Sequence, residues 1–198
     1  MQTNETIFLK RLSEKEVSDI YESHTIYDFP EEERKPLSSI LNLMQRNIYL
    51  CYGLFEKQEL RAYAYFIVNQ DILMLDYFAV CRQYRNGGYG SRFLSLLKQE
   101  CSHFRGVILE VESPDYAADE RSFDRCNRRI RFYQRNGVMK TKVTSRTFDV
   151  EYDIMYLPCR ETCSDEQVGK ELLAVYQNIL SPKMFREKLH VRFPGPTC

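Results

Sequence analysis

Six residues near the middle of the chain, Arg85-Asn86-Gly87-Gly88-Tyr89-Gly90, have the composition of a backbone that receives an anion. Glycines let the main chain approach a ligand closely, and a helix that starts just after them points its free first-turn N–H groups outward. The flanks supply both elements. Ile72-Leu73-Met74-Leu75-Asp76-Tyr77-Phe78-Ala79-Val80 is an apolar run rich in strand formers. From Ser91 to Cys101, Phe93, Leu94, Leu97 and Cys101 fall on one helical face. Strand, glycine turn and helix in that order make a phosphate cradle. It is not a Walker loop, because no Gly-Lys-Ser/Thr closes it, and it does not fit G-x-G-x-x-G. The plainer alternative is a helix entered through a glycine-rich turn that holds nothing.

A second segment, Asn127-Arg128-Arg129-Ile130-Arg131-Phe132-Tyr133-Gln134-Arg135-Asn136-Gly137-Val138, tests that reading. Phe123, Cys126, Ile130 and Tyr133 make one apolar stripe at helical spacing, Gly137 sits where a helix C′ glycine belongs, and Arg135 complements the helix dipole. By pattern alone Tyr133 is a core aromatic that closes the stripe.

Together the two segments resemble the GNAT acetyltransferases. Arg85, Gly88 and Gly90 meet that family's Arg/Gln-x-x-Gly-x-Gly/Ala signature, and Asn127, Phe132, Tyr133 and Gly137 meet its second motif in the right order. The resemblance implies a pyrophosphate of acetyl-coenzyme A held by Arg85, Asn86, Gly87, Gly88, Tyr89, Gly90 and Ser91. It further implies pantetheine amides paired with the main chain of Phe78, Ala79 and Val80, in a cleft between splayed strands 72–80 and 107–111. Asn127 would add a coenzyme contact, and the Tyr133 hydroxyl would lie near the coenzyme sulfur as proton donor to the leaving thiolate. The implied reaction is transfer of acetyl from acetyl-CoA, as co-substrate, to a primary amine by direct attack. None of the seven cysteines pairs with a histidine in a nucleophile pattern.

Residues 107–120 hold Glu110, Glu112, Asp115, Asp119 and Glu120 with no Lys or Arg. In an alternating strand Glu110 and Glu112 share a face. Like charges side by side hold a proton more tightly than one alone, which suits a general base for an ammonium that must lose its proton before attack. Glu112 is the first candidate and Glu110 the second; a solvent-facing pair is the plain alternative. Glu31-Glu32-Glu33 reads by itself as an exposed loop; the resemblance implies that a loop at this place borders the acceptor, and both acidic segments would then favour a small cationic amine.

The elements follow from period and turn chemistry. A first strand spans 6–12, and Ser13 with Glu16 forms a capping box for a helix carrying Val17, Ile20 and Tyr21. An apolar helix covers 37–46, strands cover 48–56, 61–69 and 72–80, and a further strand covers 107–111. A helix follows over 121–136, and a last strand over 148–157. This predicts a mixed α/β fold with a mostly antiparallel sheet of six to seven strands and about four helices, spanning residues 1–158. Residues 159–198 form a C-terminal helical extension, with a helix from Ser164 to about Leu180 and a loose tail.

Composition excludes several classes. Lys plus Arg equals Asp plus Glu at 28 each, so bulk charge does not point to nucleic acid. Nine basic residues between Arg121 and Arg146 face one acidic residue, but no aromatic platform accompanies them, so they read as a solvated face with some reach toward coenzyme phosphates. No apolar run approaches the roughly 20 residues a bilayer span needs, and residues 4–9 lack a signal-peptide pattern. The scattered cysteines and dispersed histidines suggest free thiols in a reducing cytoplasm and no metal. A homodimer is left open. The alternatives to a small-amine enzyme are a catalytically inactive GNAT-fold acyl-CoA sensor and a protein N-acetyltransferase; intact Arg85, Gly88, Gly90 and Tyr133 favour an enzyme over a sensor, and the sequence leaves the acceptor open.

Overall fold

The computed structural model describes residues 7–195, which form two compact units. The start of the expected first strand, Thr6, lies outside the described residues, as does Cys198.

The first unit runs to Val68 and includes Leu75–Glu100. β1 (Phe8–Arg11) leads into α1 (Glu14–Ile20), which continues through a π-turn (Tyr21–Thr25) into a single turn, α2 (Ile26–Asp28). Ser13 caps α1 as expected: it accepts from the Glu16 N–H, and the Glu16 carboxylate accepts from the Ser13 N–H at 2.9 Å. After the exposed 3-10 turn Glu31–Glu33 come α3 (Leu37–Gln45), β2 (Tyr49–Glu56), β3 (Glu59–Asn69), β4 (Ile72–Val80) and α4 (Tyr89–Glu100). The strand order here is β1-β2-β3-β4, antiparallel from β1 to β3. β2 and β3 are joined by Lys57 and Gln58 alone, both at positive φ (51° and 64°) as a type I′ turn requires. Val17, Ile20, Ile40, Leu54, Phe66, Phe93, Leu94 and Leu97 fill the core beside a row of buried tyrosines, Tyr49, Tyr63, Tyr65 and Tyr77.

The second unit holds Asn69–Met74 and the chain from Cys101 onward. It comprises β5 (Gly106–Glu112), α5 (Glu120–Arg135), β6 (Met139–Thr147), β7 (Val150–Pro158), α6 (Asp165–Ile179), α7 (Pro182–Lys188) and β8 (Leu189–Arg192). Strands β5-β7-β6-β8 lie in that order, every pair antiparallel. Residues 148 and 149 make the β6–β7 turn, again with both φ positive (46° and 69°).

The class is the one expected, a mixed α/β fold of mostly antiparallel strands, but it has eight strands where six to seven were predicted. The two extra strands are β6 and β8. β6 was read as part of a basic run, yet Thr141, Val143, Ser145 and Thr147 are buried while Lys140, Lys142 and Arg146 are exposed, a period of two beneath the charge. β8 falls where a loose tail was expected; it pairs Leu189–Arg192 with Thr144–Thr147. Along α5 the predicted stripe holds at Cys126, Ile130 and Tyr133, whereas Phe123 is exposed.

Candidate functional site

The glycine segment is a tight connection whose geometry its own residues enforce. Cys81 N–H bonds the Arg61 carbonyl at 2.9 Å, ending β4, and a 3-10 turn (Arg82–Tyr84) reverses the chain. Asn86 then enters the left-handed region at φ 66°, which its short amide side chain tolerates, and Gly88 follows at φ 79°. A Cβ on Gly88 would meet nothing within 4 Å, so glycine is needed there for its φ and not for room. Gly87 is the reverse case: a Cβ would stand 3.0 Å from the Tyr89 ring and 3.1 Å from the Tyr84 carbonyl.

α4 starts at Tyr89, and its first helical bond runs from Arg92 N–H to the Gly88 carbonyl at 3.0 Å. The N–H groups of Tyr89, Gly90 and Ser91 therefore precede any i→i−4 acceptor, and no acidic residue occupies the first turn to compete for them. Phe78, Ala79 and Val80 close β4, with the Phe78 ring tilted at 46° against Phe93 (centroids 5.0 Å apart). The Arg85 side chain turns inward. Its Nε donates to the Val80 carbonyl at 3.1 Å and its Nη2 to Asp28 at 2.9 Å. Asp28, buried at the end of α2, also accepts from the Tyr63 hydroxyl at 3.0 Å. Sequence reasoning missed Asp28, since 57 residues and no shared motif separate it from Arg85.

In the second unit α5 and β5 carry the remaining candidates. Asn136 N–H and Val138 N–H both return to the Tyr133 carbonyl, and Gly137 at φ 82° ends the helix, so Tyr133 sits in a rigid last turn. Its side chain is buried, and burial pushes the phenol up to about 12, with Arg129 opposing. Its hydroxyl has no hydrogen-bond partner among the described residues. The Asn127 amide donates to the Phe123 carbonyl at 3.1 Å. With Arg121, Arg128 and Arg131 it lines an open recess of about 530 Å³ on the outer face of α5.

The two glutamates have separate neighbourhoods. Glu112 pairs with Arg129 at 3.2 Å and lines a second recess of about 510 Å³, with Tyr116, Ser122, Arg125, Cys126 and Glu151. Burial and the Glu112 charge raise the Cys126 thiol, which suits a packed residue and not a nucleophile. Glu110 instead accepts hydrogen bonds from the hydroxyls of Ser145 (2.9 Å), Thr147 (3.1 Å) and Tyr176. Tyr176 was not singled out in the sequence, where it is one apolar-face residue of a helix among many. The structure thus groups Phe78 to Ser91 around one loop, places Asn127 and Glu112 on different recesses, and puts Tyr133 on the lining of neither.

Comparison with known proteins fits this arrangement. Among solved structures, a GNAT-family protein from Bacteroides thetaiotaomicron superposes with a TM-score of 0.68 at 21% identity, covering 87% of this chain and 97% of its own. The ribosomal-protein-S18-alanine N-acetyltransferase of Escherichia coli gives 0.58 at 20% identity over 81% and 97%. An acetyltransferase of Bacillus subtilis in complex with CoA gives 0.52 at 10% identity over 77% and 99%. These likenesses speak to the fold. No curated protein matches the sequence. The family model described as acetyltransferase (GNAT) family matches residues 15–138, which take in both the glycine loop and Tyr133, and on that match the chain belongs to the GNAT acetyltransferase family.

Proposed function

We propose that the protein is an N-acetyltransferase that takes acetyl-CoA as co-substrate and passes its acetyl group to a primary amine, with small cationic amines the favoured class. The observation that carries the reading is the loop at residues 86–91. Two left-handed residues, an open space in front of Gly88 and three first-turn N–H groups form a set of main-chain donors of the kind that takes phosphate oxygens. The residues present therefore fit a coenzyme pyrophosphate, held by the main chain of Gly87 to Ser91. The half-buried end of β4 (Phe78, Ala79, Val80) is the stretch whose main chain would meet an amide-bearing arm. When bound, the coenzyme supplies an activated acyl carbon.

The chain's own residues then have two proton tasks. Tyr133 is the donor. A phenol raised to about 12 is protonated throughout the physiological range, so it always presents O–H to a departing thiolate. Against a thiol near 8.5, complete proton transfer is uphill by about 3.5 pKa units, roughly 5 kcal/mol. Tyr133 therefore works first as a hydrogen-bond donor to developing charge, and gains as a proton source to the extent that the thiolate is desolvated too. Glu112 is the better-placed base, since it opens on a recess, while Glu110 is engaged by three hydroxyls. The carboxylates of Glu31 to Glu33 and of residues 110–120 favour a cationic acceptor.

Calorimetric titration of coenzyme A tests the cradle. Gly88→Leu would put a side chain into the space where a Cβ meets nothing within 4 Å and would strain the backbone at φ 79°, and it should weaken binding by tenfold or more, about 1.4 kcal/mol. Unchanged affinity would move the cradle elsewhere. Free-thiol release from acetyl-CoA over a panel of amines then separates an enzyme from a sensor, which would bind the coenzyme and release none.

A further inference from the structure

Behind the glycine loop, on its protein side, lies a buried arginine that the reaction does not use. Arg61, near the start of β3, is 5% exposed. Its Nη2 pairs with Glu56 at 3.1 Å and its Nη1 with Glu59 at 3.0 Å. Its guanidinium carbon stands 3.8 Å from the centroid of the Tyr84 ring and 5.6 Å from that of Tyr89. These two tyrosines bracket the loop. Tyr84 ends the 3-10 turn before Arg85, and Tyr89 opens α4 after Gly88.

Each ring is also tied by its hydroxyl to a carboxylate that Arg61 neutralises. Tyr84 donates to Glu59 at 2.8 Å, and Tyr89 donates to Glu56 at 2.7 Å. The rings meet edge to face at 5.8 Å, and the Tyr89 ring is the wall against which Gly87 packs. The Arg61 carbonyl in turn accepts the Cys81 N–H that ends β4. One side chain therefore holds both ends of a four-residue loop, through two rings and two carboxylates. Arg61 Nε is buried without a hydrogen-bond partner, a cost that a purely structural surface pair would avoid by turning to water.

We infer that Arg61 is a positioning residue for the pyrophosphate loop, setting the spacing of Tyr84 and Tyr89 and hence the aim of the Gly87–Ser91 N–H groups. The inference rests on the coenzyme reading above. A planar guanidinium can stack on a ring and pair with two carboxylates at once, whereas an ammonium keeps the charge and loses the stack.

The test is coenzyme A affinity by calorimetry, with amide hydrogen exchange of residues 86–91 in the ligand-free protein. Arg61→Met should raise Kd at least tenfold and speed exchange across the loop, while Arg61→Lys should recover part of both. A merely structural role would lower Tm and leave the affinity of the folded fraction and the loop's exchange unchanged, and that result overturns the inference. Should Arg61→Met fail to fold, Tyr84→Leu decides: it removes the ring against Arg61, and an unaltered Kd would again overturn the proposal. Failure of the unsubstituted protein to bind coenzyme A removes the coenzyme reading itself and this inference with it. Normal binding there, with unchanged variants, removes this inference alone.

Discussion

Tyr133 is held by its own backbone: two N–H groups converge on its carbonyl, and a left-handed glycine stops the helix four residues on. Its ring fills the stripe with Cys126 and Ile130, so Tyr133→Phe removes one oxygen and leaves the packing. Loss of a positioned proton donor costs roughly 100- to 10,000-fold in rate. Tyr133→Phe is therefore expected to lower kcat within that range with coenzyme affinity nearly constant; normal turnover would make Tyr133 a core aromatic only. The pH profile adds a sign. A phenol raised to about 12 keeps its proton below that value, so no descending limb assignable to Tyr133 should appear between pH 7 and 10. A limb in the wild type that vanishes in Tyr133→Phe would show a wetter hydroxyl than the structure has. In the same assay Glu112→Gln is expected to remove the acidic limb, and an unaltered limb would exclude Glu112 as base.

At the scale of elements, local chemistry was legible where one residue sets one bond. Ser13 and Glu16 were readable as a capping box because the motif is contained within four residues; at α6, where only a helix from Ser164 was expected, Ser164 and Gln167 form the same box. β6 was hidden because its inward face is Thr, Val, Ser and Thr, polar enough for charged neighbours to mask the alternation. The α1 cap also carries a pH dependence. The Glu16 carboxyl is lowered to about 2, chiefly by its hydrogen bond to Lys10 and then by the Ser13 N–H. A lowered carboxylate contributes stability that is present above its unfolded value near 4.5 and is lost as pH falls through about 2. Thermal melts between pH 5 and 2 should thus show a loss that Glu16→Gln, already lacking the charge, does not repeat. Parallel curves for the two proteins would mean that the cap is open in solution.

In the chain as a whole, the glycine loop belongs to one compact unit and Tyr133 to the other, where the sequence reading places both motifs in a single domain. The tail was less legible. Residues from 159 onward, expected as a C-terminal extension, belong to the second compact unit. α6 buries Val168, Leu172 and Val175, Arg105 pairs with Glu171, Tyr176 reaches Glu110, and Asn178 donates to Asn69 at 2.6 Å. These contacts join residues 66 to 109 positions apart, which no local pattern can announce. Three buried aliphatic side chains contribute about 1.5–3 kcal/mol each, a sum comparable with the 5–15 kcal/mol that holds a whole domain together. A chain ending at Pro158 is therefore expected to lose cooperative unfolding or to aggregate. A soluble, cooperatively melting 1–158 fragment would restore the tail to the status of an appendage.

The two tightest hairpins turn on Lys57-Gln58 and on residues 148–149, four side-chain-bearing residues in a backbone region that favours Asn and Gly. Each L-residue there gives up roughly 1–2 kcal/mol. At 148–149 an allowance of that size is set against the Asp149 ion pairs with Arg146 and Lys188. In the Lys57-Gln58 bend, which neither forms the glycine loop nor carries Tyr133, it is a reserve of thermal tolerance. Laboratory evolution toward a hardier enzyme could draw on it first, by Asn-Gly replacement, before any residue with a proposed role in catalysis has to change.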